Sequence, residues 1–280
     1  MYTHTFGPKM GLLPAVVSAT IIVAIPVIQI GIVYRIIWVP DKPEVDKNNC
    51  ENSCFDTIFK GSYEKSGSKH GYKHVYFNAT RQTMCVWVIT FVYVILGYEA
   101  LKLFLSFLFS RSLRPIMAIL FFVSVYPHVF AWWAIFNYYN DDFYLMFNHQ
   151  IFFSVTEMLS TYAILKSCDR HSERRVVLYN LIIGAALAHV IIGSLDQFIS
   201  HIIYKEGKPH QVWRDIGLLV PDIMMVVLPV VDYMKGEITL RPRYILSDLR
   251  ERFTKDKSSR TNALILVGYV AGLLITGKIL

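Results

Sequence analysis

Residues 176–200 read VVLYNLIIGAALAHVIIGSLDQFIS. At about 1.5 Å of rise per residue, a helix of this stretch crosses the ~30 Å hydrocarbon core of a bilayer. Ala185, Ala186, His189, Gly193 and Asp196 fall on one stripe of that helix, because residues three, four and seven apart share a face. The other faces are mainly Ile, Leu and Val. A small and ionisable stripe does not face lipid, where a charge costs ~2.5 kcal/mol or more. It faces other helices or water, and the rest of the chain is expected to wrap around it.

Apolar runs of similar length recur along the chain. Of its 280 residues 54% are hydrophobic, with a mean hydropathy of +0.40, above the ~45–50% apolar share of soluble domains. The runs predict helices over 11–38, 84–110, 115–137, 146–166, 176–200, 214–232 and 262–280. The expected fold is all-α: one polytopic membrane domain over 1–280, built as a seven-helix transmembrane bundle. The first run is too long for a signal peptide, contains Pro14 and Pro26, and lacks a clear cleavage site, so it reads as a retained helix. No solenoid repeat or inverted pair of halves is visible.

The net charge of +7 does not point to nucleic acid. The basic residues lie mainly between apolar runs, and no nucleic-acid-reading motif is present. They predict orientation and contact with the lipid bilayer instead. With the N terminus cytosolic, that side holds Lys9, Arg111, Arg114, Lys166, Arg170, Arg174, Arg175 and the basic 233–261 loop. The C terminus and the polar 40–83 segment, a loop or small cap, are then luminal or extracellular. This is the topology of an endomembrane or plasma-membrane protein. Within the basic loop, Ile245, Leu246, Leu249 and Phe253 share a helical face that suits anionic headgroups or packing on the bundle.

Covalent signals agree with that orientation. Asn78-Ala79-Thr80 is a glycosylation sequon in the first loop. Cys50, Cys54 and Cys85 share the outer face, which allows one disulfide between two of them, while Cys168 falls on the cytosolic side.

The functional signal is a layer of ionisable residues within the spans. Counted from the outer helix ends, Asp222 lies ~12 Å deep, His128 ~13 Å, and Glu157 and His189 ~16 Å. Glu157 sits on a stripe with Gln150, Ser154 and Thr161. His128 follows Pro127, and Asp222 follows Pro221. Asp196 lies nearer the outer surface, beside Asp215 in a vestibule. Glu99 has Lys102 three residues on, the spacing of an internal ion pair. The layer either specifies helix packing through hydrogen bonds or lines a polar cavity.

Three functions follow from a cavity. A transporter or channel uses His128, Glu157, His189 and Asp222 to bind a cation or relay protons, with Asp196 on the pathway. An intramembrane metal-dependent enzyme uses the same two His and two carboxylates as ligands, although no HExxH or close His pair supports it. A seven-helix receptor or accessory subunit is the third. Against a receptor, the orientation is opposite to the common G-protein-coupled kind, and Asp169-Arg170-His171 follows the fourth run rather than the third. The seventh run has no central lysine for a retinal Schiff base, and two midmembrane histidines are a weak haem signal. Gly268 and Gly272 in that run permit close approach of a helix, from within the chain or from a second copy.

Overall fold

A computed structural model describes residues 11–28, 32, 36, 81–140, 144–204, 206, 209–237 and 257–279. Cys50, Cys54, Asn78 and the loops at 40–80 and 238–256 lie outside them, as do the side chains of Cys85 and Asp196. The described elements are helices: α1 (Leu12–Ile28), α2 (Arg81–Phe109), α3 (Pro115–Asn140), α4 (Tyr144–Ser167), α5 (Val176–Gly193), α6 (Pro209–Glu237) and α7 (Lys257–Ile279). No named strand occurs among the described residues. Helices α2, α3, α5, α6 and α7 contain segments long and apolar enough to cross a membrane, and Leu12–Ile25 of α1 is a shorter apolar helix. The pattern is that of a membrane-embedded, multi-pass helical protein.

The burial pattern has the same cause. On α4, Thr156, Glu157, Ser160 and Thr161 are buried, whereas Val155, Leu159 and Tyr162 are exposed. On α6, Asp215, Asp222 and Asp232 are buried, whereas Val220, Ile223, Val227 and Val230 are exposed. Water would invert both arrangements, because it solvates charge and expels apolar surface. Hydrocarbon favours this one, since polar groups find partners only inside the protein.

The chain forms two compact units. The first comprises 1–106 with 129–154, and the second 107–128 with 155–280. In the first, Gly97 of α2 lies close to Ile22 of α1: a Cβ there would sit 3.3 Å from Cδ1 of Ile22. Glu99 and Lys102 form an ion pair, with the Glu99 side chain half exposed and the Lys102 ammonium 4.9 Å from the Tyr98 ring centroid.

The second unit opens with a tight stop to α2. Ser112 N–H donates to the Phe107 carbonyl and Arg111 N–H to the Leu108 carbonyl, both at 3.1 Å. That bond pair is a Schellman motif, which needs a left-handed residue. Arg111 supplies it at φ 55°, where glycine would be easier by ~1–2 kcal/mol. Pro115 then starts α3, where its missing donor is no loss. Within this unit α5 packs against both α6 and α7. Gly184 gives α7 room, since a Cβ there would overlap the Tyr269 ring, and Gly217 of α6 makes room for Tyr126 of α3 in the same way. At Gly268 and Gly272 nothing among the described residues lies within 4 Å of a Cβ position.

The apolar pattern over 176–200 predicts one continuous α-helix. The observed helix changes winding at Ser194 and runs as a π-helix to Ile203. The wider turn, closed by i→i+5 bonds, rotates residues after Gly193 relative to those before it. Ala185, Ala186 and His189 of the expected stripe are buried, and the backbone of Asp196 lies in the π segment.

Candidate functional site

Helices α4, α5 and α6 bring Glu157, His189 and Asp222 together, all three buried. One ligating atom from each lies within 4.8 Å of the others. His189 Nδ1 stands 3.4 Å from Glu157 Oε1 and 3.4 Å from Asp222 Oδ1. The second imidazole nitrogen, Nε2, is 2.6 Å from Thr156 Oγ1. Glu157 Oε2, Asp222 Oδ1 and Ser160 Oγ are buried without a hydrogen-bond partner. Such oxygens are costly in a low-dielectric interior unless a cation or donor meets them. Small neighbours allow the approach: Ala185 and Ala186 are buried one turn below His189, and Ala188 beside it. Pro221 precedes Asp222 and cannot donate its own backbone bond within α6.

His128 is not in this group. Its Nε2 lies 2.7 Å from Thr161 Oγ1, one turn along α4 from Glu157. It is half-buried. Of the residues expected at a common depth, three share a centre and the fourth stands beside it. The backbone of Asp196 lies in the π segment.

Two further polar clusters were not legible as such in the sequence. At one end of α6, Asp215 accepts from Arg214 Nε at 2.6 Å and is bonded to His201 Nδ1 of the π segment. At the other end, Asp232 accepts from Tyr179 Oη and lies 3.4 Å from Arg174 Nε and 3.6 Å from Arg114 Nη1. Arg114 is buried and ties that end together. Its Nη1 donates to Tyr179 Oη at 3.0 Å, and its Nη2 to the carbonyls of Asp169 at 3.1 Å and Ser172 at 2.9 Å. Its backbone N–H donates to the Cys168 carbonyl at 2.7 Å, beside the isolated bridge between Leu113 and Asp169. The available signal was the spacing of Asp215, Asp222 and Asp232 on one face of α6, about 10 Å and then about 15 Å apart along the axis. Thr156 carried no separate signal beyond its place next to Glu157.

A family model, described as a family of unknown function (DUF8801), matches residues 11–280. The chain belongs to that family. No curated protein and no solved structure matches it. The match covers every helix described above, so the centre on α4–α6 and both end clusters lie within the family's extent.

Cys168 closes α4 as a free, buried thiol. Burial pushes it up to about 12, and the Arg114 guanidinium opposes that shift only in part. The thiolate is the reactive form. Cys168 is expected to resist maleimide in the folded protein at neutral pH and to react fully in denaturant. Peptide mass spectrometry of labelled samples checks this, and rapid native labelling would contradict it.

Proposed function

We propose that this protein moves a cation or protons across the membrane through the Glu157–His189–Asp222 centre. The observation that carries this reading is the buried face of α6. Asp215, Asp222 and Asp232 occupy its two ends and its middle, each facing a cationic or ionisable partner. Together they span about 25 Å, close to the ~30 Å hydrocarbon thickness. Buried ionisable groups at intervals across a membrane mark ion and proton pathways. The end clusters then act as gates, since Arg114 and His201 hold the terminal aspartates paired when the path is closed. His128, beside the centre, and Asp196, in the π segment, belong to the approaches. An intramembrane metal-dependent enzyme draws on the same three ligands and is the second reading.

Purified protein in vesicles should dissipate an imposed proton or cation gradient faster than protein-free vesicles. The absence of any flux under proton, monovalent and divalent gradients would remove the transport reading.

The orientation proposed with it places the N terminus and the Asp232 end in the cytosol. The Asp215 end and the segment carrying Cys50, Cys54 and Asn78 then lie outside, where a disulfide and a glycan form. The excess of Lys and Arg over 233–261 supports this and places anionic lipid against that loop. Seven spans put the termini on opposite sides. Epitope tags at the two ends, probed before and after permeabilisation, should become accessible under different conditions. Tags accessible from the same side would overturn the topology.

A further inference from the structure

The three-residue centre has the geometry of a specific ligand, which deepens the transport reading by naming the cation. We propose that Glu157, His189 Nδ1 and Asp222 form a binding site for a divalent transition ion of the zinc class.

A direct charge-assisted bond between an imidazolium N–H and a carboxylate closes to about 2.7–2.9 Å. Here Nδ1 stands 3.4 Å from one oxygen of each carboxylate. In a tetrahedral zinc site with bonds of about 2.0–2.1 Å, neighbouring ligand atoms stand about 3.3–3.4 Å apart. Both His189 edges already have that length. The three ligating atoms lie within 4.8 Å of one another, so small rotations of the carboxylates complete the face.

Two carboxylates with an imidazolium leave one negative charge in a dry interior. Two carboxylates with a neutral imidazole and a divalent ion leave none. Asp222 Oδ1, one of the two oxygens facing Nδ1, is buried without a hydrogen bond, and such an ion would satisfy it.

Ligand chemistry then selects the class. Calcium and magnesium take oxygen ligands, whereas imidazole with carboxylate suits zinc and its transition-metal neighbours. Thr156 completes the design. When its Oγ1 accepts from Nε2–H at the observed 2.6 Å, the Nδ1 lone pair is left to face both carboxylates. Coordinated to a cation, that lone pair is the third ligand. In that arrangement Thr156 is a positioning residue that holds Nδ1 toward the carboxylates, a role outer partners commonly play at metal sites. Three protein ligands leave one tetrahedral position open for water or an exchanging ligand.

The test uses the full chain in detergent, stripped with chelator and titrated with zinc alone. One zinc should bind per wild-type chain, and none at this site in His189→Ala or Asp222→Asn. Thr156→Val should weaken zinc binding about 10–100-fold, whereas a merely structural Thr156 would change melting and leave zinc affinity intact. Cobalt(II) in the wild-type protein supplies a reading independent of variant folding. An intense tetrahedral spectrum with nitrogen and oxygen ligands supports the site, and an aquo-like octahedral spectrum overturns it. Equal zinc binding by wild type and both variants also overturns it. Proton flux in vesicles without zinc binding would overturn the metal site and leave transport standing. Zinc binding without any flux would uphold the site and overturn transport.

Discussion

Glu157→Gln and His189→Ala should each reduce cation or proton flux in vesicles to the level of protein-free vesicles. Expression and helical content should stay near those of the wild type. Glu157→Gln nearly preserves shape, so it tests charge rather than packing. It leaves His189 with one carboxylate, Asp222, and places an amide that cannot ionise in the centre. A proton then has no second acceptor, and a cation loses a ligand. His189→Ala removes the group between the two carboxylates and leaves them facing across a small void. If the trio serves only to specify helix packing, both changes should lower thermal stability, with a hydrogen bond in a membrane interior worth about 0.6–2 kcal/mol. The surviving protein would then keep its flux. Measuring flux and melting on the same preparations separates these outcomes.

Arg114→Ala should be the most destabilising single substitution at the Asp232 end, by about 3–5 kcal/mol. The change strips Asp232 of one of its two guanidinium neighbours and Tyr179 Oη of a donor. It also removes the side-chain donors to the Asp169 and Ser172 carbonyls, which hold the connection from α4 to α5. Removing one partner of a buried ion pair costs more than the pair contributes, because the remaining charge stays buried. Lysine should rescue only part of the loss, since one ammonium cannot reproduce a planar fork reaching Tyr179 and two carbonyls at once. The double variant Arg114→Ala/Asp232→Asn should regain stability relative to Arg114→Ala alone. Melting curves in detergent give the comparison. Equal stability of Arg114→Ala and wild type would mean that this end is held by other contacts.

Much of the architecture is written in one dimension. The apolar runs locate α2 to α7 to within seven residues at either end, because a bilayer requires a spanning helix of a certain length and bonds its backbone internally. The fixed rise per residue also gives the expectation that His128, Glu157, His189 and Asp222 lie at similar depths before any packing is known. Rotation about each helix axis is different. In water the apolar face points inward, so periodicity reveals it. In lipid the outer face is apolar as well, and Val155, Leu159, Ile223 and Val227 are exposed while core positions carry similar side chains. Only the polar residues report which way is in, and they do not say which of them will meet. Tertiary packing decided that three of the four groups expected at a common depth converge and that His128 turns to Thr161. Packing also brought Thr156 to His189 across 33 positions of chain, and Arg114 to Tyr179 across 65. The change to π winding at Ser194 had no apolar signature either, because it alters the turn and leaves the composition untouched. Depth is set by counting residues along a helix. Partnership is set by the angle and rotation at which helices pack, and those depend on small residues such as Gly184 and Gly217 that let rings from another helix come close.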